Sequence, residues 1–184
     1  MKLLSVNKLV DCKFLSMYEL DLLNNNNKPK KYFVASRRKE SELACKVMNH
    51  DKADAVMIVP ITKDDQFIIL KQFRPAINDY IYEFPAGLVD AGEDIEESAK
   101  RELFEETGLK AISAELILKP SYTSVGMSDE SVAVVKAIVE GEITTEHAEE
   151  DEEIEVLKVK RSEAKEFISK HNMSIKTALM ILSV

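Results

Sequence analysis

Two apolar, β-branched runs, Ala55 to Ile61 and Gln66 to Phe73, flank the polar tetrapeptide Thr62-Lys63-Asp64-Asp65. This strand–turn–strand signal commits the middle of the chain to a sheet. Further strands are expected near 114–118, at Val132 to Val139 and at Ile154 to Val159, with an extended piece at 81–86 because Pro85 biases Phe84 away from the helical region. Helical character is confined to Asp94–Thr107, which ends at Gly108, and to two closing segments, 162–170 and 174–183. Strands and helices mix without regular βαβ alternation, so the pattern predicts an α/β protein with a mixed sheet flanked by helices.

The first third alternates more weakly. Val10, Cys12, Phe14 and then Tyr32, Val34 read as strands on either side of the polar turn Asn24-Asn25-Asn26-Asn27-Lys28-Pro29. This predicts a small antiparallel β region over residues 1–48, followed by the main domain over 49–184. A lone hairpin is marginal in water, so this region is expected to pack on the main body or on a second copy of itself.

The chain has 184 residues, enough to bury a real core without staples. Its 33 acidic residues outnumber 25 basic ones, giving a net charge of −8, which disfavours nucleic acid as a partner. Acidic proteins still handle phosphates when a divalent cation stands between the negative charges. Cys12 and Cys45 lie in no C-x-x-C or Cys/His cluster, which fits a reducing cytoplasm and two small buried side chains. The start of the chain is interrupted by Asn7, Lys8, Asp11 and Lys13, unlike a signal peptide, and no run of about 18 apolar residues predicts a membrane span.

Chemistry concentrates in the helix after residue 93. At the helical repeat, Glu102 and Glu106 stand one above the other with Glu105 beside them. Ile95, Ala99 and Leu103 form an adjoining apolar stripe, so the three carboxylates border the expected buried face, while Glu96, Glu97 and Lys100 lie farther round toward water. Like charges at this spacing repel, and more so when partly desolvated. Mg²⁺ or Mn²⁺ is the natural compensation, since hard cations take carboxylate oxygens and keep positions for substrate phosphates. The carboxylates alone are equally compatible with a solvated surface.

The segment from Gly87 and Glu93 to Arg101-Glu102-Leu103-x-Glu105-Glu106-x-Gly108-Leu109 resembles the Nudix box at every fixed position. The resemblance implies a loop–helix–loop on an α/β/α sandwich with a mixed sheet. It also implies Glu102, Glu105, Glu106 and the Ala86 carbonyl as metal ligands, with Glu93 and Arg101 orienting them and Glu105 and Arg101 counted with the catalytic set. Gly87 and Gly92 are expected to permit sharp turns. Beyond the box, Lys71-Gln72-Phe73-Arg74-Pro75, Glu83-Phe84-Pro85-Ala86-Gly87, His50 with Ala55-Val56, and Ile175-Lys176-Thr177-Ala178-Leu179 resemble the ADP-ribose pyrophosphatase branch. That likeness implies a homodimer. It also implies substrate contacts from Arg74, whose guanidinium suits two phosphate oxygens, and from Glu83, Arg37 and Glu130.

Where that branch usually carries a marker proline, the loop Ser121–Glu130 has Val125, which leaves the sugar open between ADP-ribose and another nucleotide sugar such as GDP-mannose. The acidic connector Glu146–Ile154 reads by itself as a solvated charge run. By resemblance it supplies the general base, Glu150 or Glu152, with His147 expected as an ordinary loop histidine. Phe14, Tyr32, Phe33 and Arg37 offer planar faces for a base, although plain core or dimer packing is the simpler expectation for each aromatic. The expected activity is hydrolysis of ADP-ribose to AMP and ribose 5-phosphate. A nucleotide sensor that does not cleave and a capped-RNA or primer-processing enzyme are the alternatives from other classes; the sensor would be expected to have lost box glutamates, and compact basic groups occur only at Lys30-Lys31 and Arg37-Arg38-Lys39.

Overall fold

A computed structural model describes residues 1–149 and 152–184. The chain divides into two compact units, Met1–Asp54 with Pro120–Val132, and Ala55–Lys119 with Ala133–Val184.

The first unit contains a three-stranded antiparallel sheet, β1 (Lys2–Asp11), β2 (Ser16–Leu23) and β3 (Pro29–Ser36), in the order β1-β2-β3. The Asn24–Pro29 segment does join two strands, β2 and β3, with Asn27 in the left-handed region at φ 57°. The strand expected through Cys12 and Phe14 is instead a turn, closed by the Cys12 N–H donating to the Leu15 carbonyl. Tyr18 and Leu20 on β2 are buried, whereas Phe14 and Phe33 are 66% and 51% exposed, so neither of those two is core. Cys12 and Cys45 are exposed free thiols, against the expectation of burial; Cys12 falls in the turn and Cys45 in a one-turn helix, α1 (Ala44–Val47). Arg38 is buried and held by a bidentate ion pair to Asp54, both contacts at 2.7 Å, with Ser131 Oγ also on its Nη2.

The second unit is built on the larger sheet. Its strands are β4 (Ala55–Thr62), β5 (Gln66–Arg74), β6 (Asp79–Glu83), β7 (Ala86–Leu88), β8 (Lys110–Tyr122), β9 (Ser131–Glu140) and β10 (Ile154–Lys160). The order is β10-β5-β4-β9-β8, with β6 paired to β5 and β7 to β4. Only Ala55 of β4 escapes full burial, as befits the middle strand with both faces covered. Helix α2 (Ile95–Thr107) packs on β7 and β4, α3 (Ala164–Lys170) on β10, and α4 (Ile175–Ser183) on β6. The core joins Val56, Ile58, Ile68, Val135, Ala137 and Val139 to Ala99, Leu103 and Leu109, with Ile95 packed against it, so the apolar stripe on α2 faces inward as expected. Strand β8 is far longer than the 114–118 segment predicted, because its alternation is weak where side chains face water.

Helix α2 is delimited by local chemistry. Asp94 accepts from the Glu97 N–H while the Glu97 side chain reaches back to the Asp94 N–H, a capping box. At the other end Gly108 takes φ 72°, and its N–H donates to the Phe104 carbonyl. Both ends therefore fall where the sequence places them.

Candidate active site

Every side chain of this site belongs to the second unit. Arg101 lies at its centre and partners several acidic or carbonyl groups. Its Nε and Nη2 reach the Glu93 carboxylate at 3.0 Å, Nη1 reaches Glu102 at 2.8 Å and Glu105 at 3.0 Å, and Nη2 also bonds the Leu88 carbonyl. Ser98 Oγ adds a bond of 2.6 Å to Glu93. Together Arg101 and Ser98 hold the Glu93 carboxyl down to about 2, so it stays charged at any working pH. The structure thus joins Glu93 and Arg101 in an ion pair. Ser98 is a partner the sequence reading missed; its only signal was a serine within the buried stretch of the helix.

Glu106 is 2% exposed, deeper than the border position expected from periodicity. Among the described residues its hydrogen-bond partner is the Ala86 N–H, which donates to Oε2 at 3.1 Å. Burial, then the nearby charges of Glu152 and Glu102, push its carboxyl well above the usual range. Glu102 and Glu152 are also raised, burial first in each case, with Glu105 adding like charge to both. Four carboxylates, three from α2 and one from the connector before β10, therefore act on one another's charge.

Gly87 has a role different from the sharp turn expected. It lies in extended β7, and a Cβ there would come within 1.9 Å of Glu102 Cδ. The missing side chain is the space the Glu102 carboxylate occupies. Gly92, at φ 95°, does take the turn expected of it.

Arg74, at the end of β5, gives its Nε to Glu83 Oε1 at 2.5 Å. Glu83 is buried at the end of β6, while the Arg74 side chain is 43% exposed. The positive charge of Arg74 is felt by both Glu106 and Glu152, which places it beside the carboxylates. Glu150 lies outside the described residues. Arg37 and Glu130 belong to the first unit, where they form an ion pair at 3.7 Å. There Tyr32 Oη donates to the Gly126 carbonyl at 2.7 Å and the Ala35 N–H to the Met127 carbonyl at 2.8 Å, so the Val125 loop is tied to β3.

Among the described residues, no three acidic, histidine or cysteine side chains converge in metal-ligating geometry. Arg101 draws an oxygen of Glu102 and one of Glu105 to itself instead. The donor set nevertheless fits a hard divalent cation. It is all oxygen, and Glu106 is buried against two other carboxylates with no cation bonded to it among the described residues.

A family model described as NUDIX domain matches residues 51–176. The chain belongs to the Nudix family. It is a Nudix hydrolase of ADP-ribose pyrophosphatase-like sequence. An ADP-ribose pyrophosphatase of Saccharomyces cerevisiae is 31% identical over 166 residues, covering 84% of this chain and 67% of the yeast protein. One from Bacillus subtilis is 38% identical over 130 residues, 69% of each chain. The crystal structure of an ADP compounds hydrolase matches with a TM-score of 0.79 at 22% identity, covering 99% of this chain and 91% of that one, which shows the Nudix fold.

Proposed function

We propose that this Nudix hydrolase cleaves the pyrophosphate bond of a nucleoside diphosphate derivative, ADP-ribose foremost, with the help of divalent metal. One observation carries the reading: the Glu106 carboxyl is buried and feels the charges of Glu102 and Glu152, an arrangement that a divalent cation and a diphosphate would compensate. Glu102, Glu105, Glu106 and the Ala86 carbonyl would hold Mg²⁺ or Mn²⁺. When bound, the cation neutralises the diphosphate and polarises one phosphorus.

The protein's own groups do the rest. Glu152, its carboxyl raised above the usual range by burial, takes the proton from an attacking water. Arg74 presents its two Nη nitrogens to phosphate oxygens while Glu83 fixes the guanidinium through Nε. Arg101 and Glu93 brace the carboxylates of α2. ADP-ribose then yields AMP and ribose 5-phosphate, a phosphate ester leaving group that needs no strong acid. Arg37 and Glu130 are assigned to substrate binding on the likeness of their segments alone.

We assign a homodimer formed through the three-stranded sheet. Its support is the row of exposed apolar side chains there, Leu9, Val10, Met17 and Phe33 among them, with β1 at the sheet edge. A cytoplasmic setting rests on two free exposed cysteines. No described helix is long and apolar enough to cross a membrane.

A Mg²⁺-dependent assay across ADP-ribose, GDP-mannose, NADH and dinucleoside polyphosphates, with products identified, tests the function. Cleavage of ADP-ribose to AMP in Mg²⁺ is expected, abolished in chelator. A panel showing no diphosphate cleavage would favour a sensing domain. Running the reaction in heavy-oxygen water identifies the phosphorus attacked.

A further inference from the structure

Residues 144–147, after β9, follow α2 from its C-terminal end backward. The Thr144 N–H donates to the Thr107 carbonyl at 3.0 Å, and a Cβ on Gly108 would lie 2.4 Å from Thr144 Cγ2. One helical turn back, the His147 ring stacks on Phe104, with centroids 4.6 Å apart and planes inclined by 22°. A compact turn presents that ring, since the Ala148 N–H donates to the Thr145 carbonyl and the Glu146 N–H to Thr144 Oγ1. Two bonds then join Glu149 to Glu152: the Glu152 N–H donates to the Glu149 carbonyl at 3.0 Å, and the Glu149 N–H to Glu152 Oε2 at 3.2 Å. The Glu152 charge is felt by Glu102 and Glu106, and that of Glu105 by Glu152.

The segment brings a fourth carboxylate toward three others, a like-charge approach that the positive charge of Arg74 offsets only in part. Ring stacking of His147 on Phe104 supplies an attachment that does not depend on charge. We infer that His147 is a positioning residue: its stack on Phe104 ties residues 144–149 to α2 and, through Glu149, sets the Glu152 carboxyl over the helix. The inference deepens the reading of Glu152 as the base and rests on it for its effect on turnover, but the tether itself has an independent readout.

His147→Ala, His147→Phe and Glu152→Gln are compared with the parent by steady-state kinetics on ADP-ribose with Mg²⁺ and by amide hydrogen exchange. His147→Ala is expected to lower kcat about 2–10-fold, the range a stacked pair is worth, with KM and melting temperature unchanged. It also speeds exchange of the Glu149 amide, and His147→Phe restores both readouts. Unchanged exchange in His147→Ala, or a phenylalanine variant as impaired as the alanine one, overturns the tether. If Glu152→Gln keeps parental turnover, the base assignment falls instead. The tether then stands or falls on whether His147→Ala speeds Glu149 exchange.

Discussion

Gly87 shows how a single missing Cβ shapes the site. Any side chain there must displace the Glu102 carboxylate, whose other support is Arg101. Gly87→Ala is therefore expected to fold normally by circular dichroism yet lose about 10²-fold in kcat, the penalty of moving a reacting group by an ångström. Parental kinetics in that variant would mean that the Glu102 pose is irrelevant to turnover. Glu106→Gln tests the adjacent group: neutralising the most buried carboxylate should reduce turnover by about 10³-fold through lost metal binding.

The same carboxylates give a signed pH dependence. Glu106, Glu102 and Glu152 have folded values above the unfolded carboxyl value of about 4.3. The folded state then holds protons the unfolded chain releases, so their contribution is full at low pH and is lost as pH rises through the folded values. Glu93, held at about 2, behaves oppositely; its contribution is present above the unfolded value and is lost as pH falls toward 2. Calorimetry in chelator should therefore show metal-free stability declining from about pH 5 upward, with Mg²⁺ raising the melting temperature by more at pH 8 than at pH 5. A magnesium shift independent of pH would argue against cation binding at these groups.

At the scale of elements, α2 joins core and chemistry in one helix. Leu103 is fully buried between the sheet and the carboxylate edge, so Leu103→Ala is expected to cost about 2–5 kcal/mol in urea denaturation. Asp94→Ala, which removes one arm of the capping box, should cost about 1 kcal/mol and leave kcat intact. Helix α2 was legible because everything that specifies it is local: a cap, a stripe at helical spacing and a terminal glycine. Strand β2 was not. Val10, Cys12 and Phe14 continue in the same parity to Ser16, Tyr18 and Leu20, with no glycine or proline to mark the reversal. A period of two cannot show where the chain turns.

For the molecule as a whole, the testable consequence is assembly. Sedimentation equilibrium should give twice the chain mass, and replacing Phe33 by Glu on the exposed sheet face should shift the protein toward monomer. A parent that sediments as a monomer at micromolar concentration would refute the proposed dimer.

By itself the order of residues determined the sheet hairpin, the limits of α2, the inward stripe and the family, because each is written in short-range spacing. Tertiary structure alone decided that Glu106 is buried rather than bordering, that Glu83 clamps Arg74, that Gly87 makes room for Glu102 and that His147 lies on Phe104. Those facts depend on which distant segments meet. Burial and the approach of like charges, the causes of the raised carboxyl values, come into being only when they do.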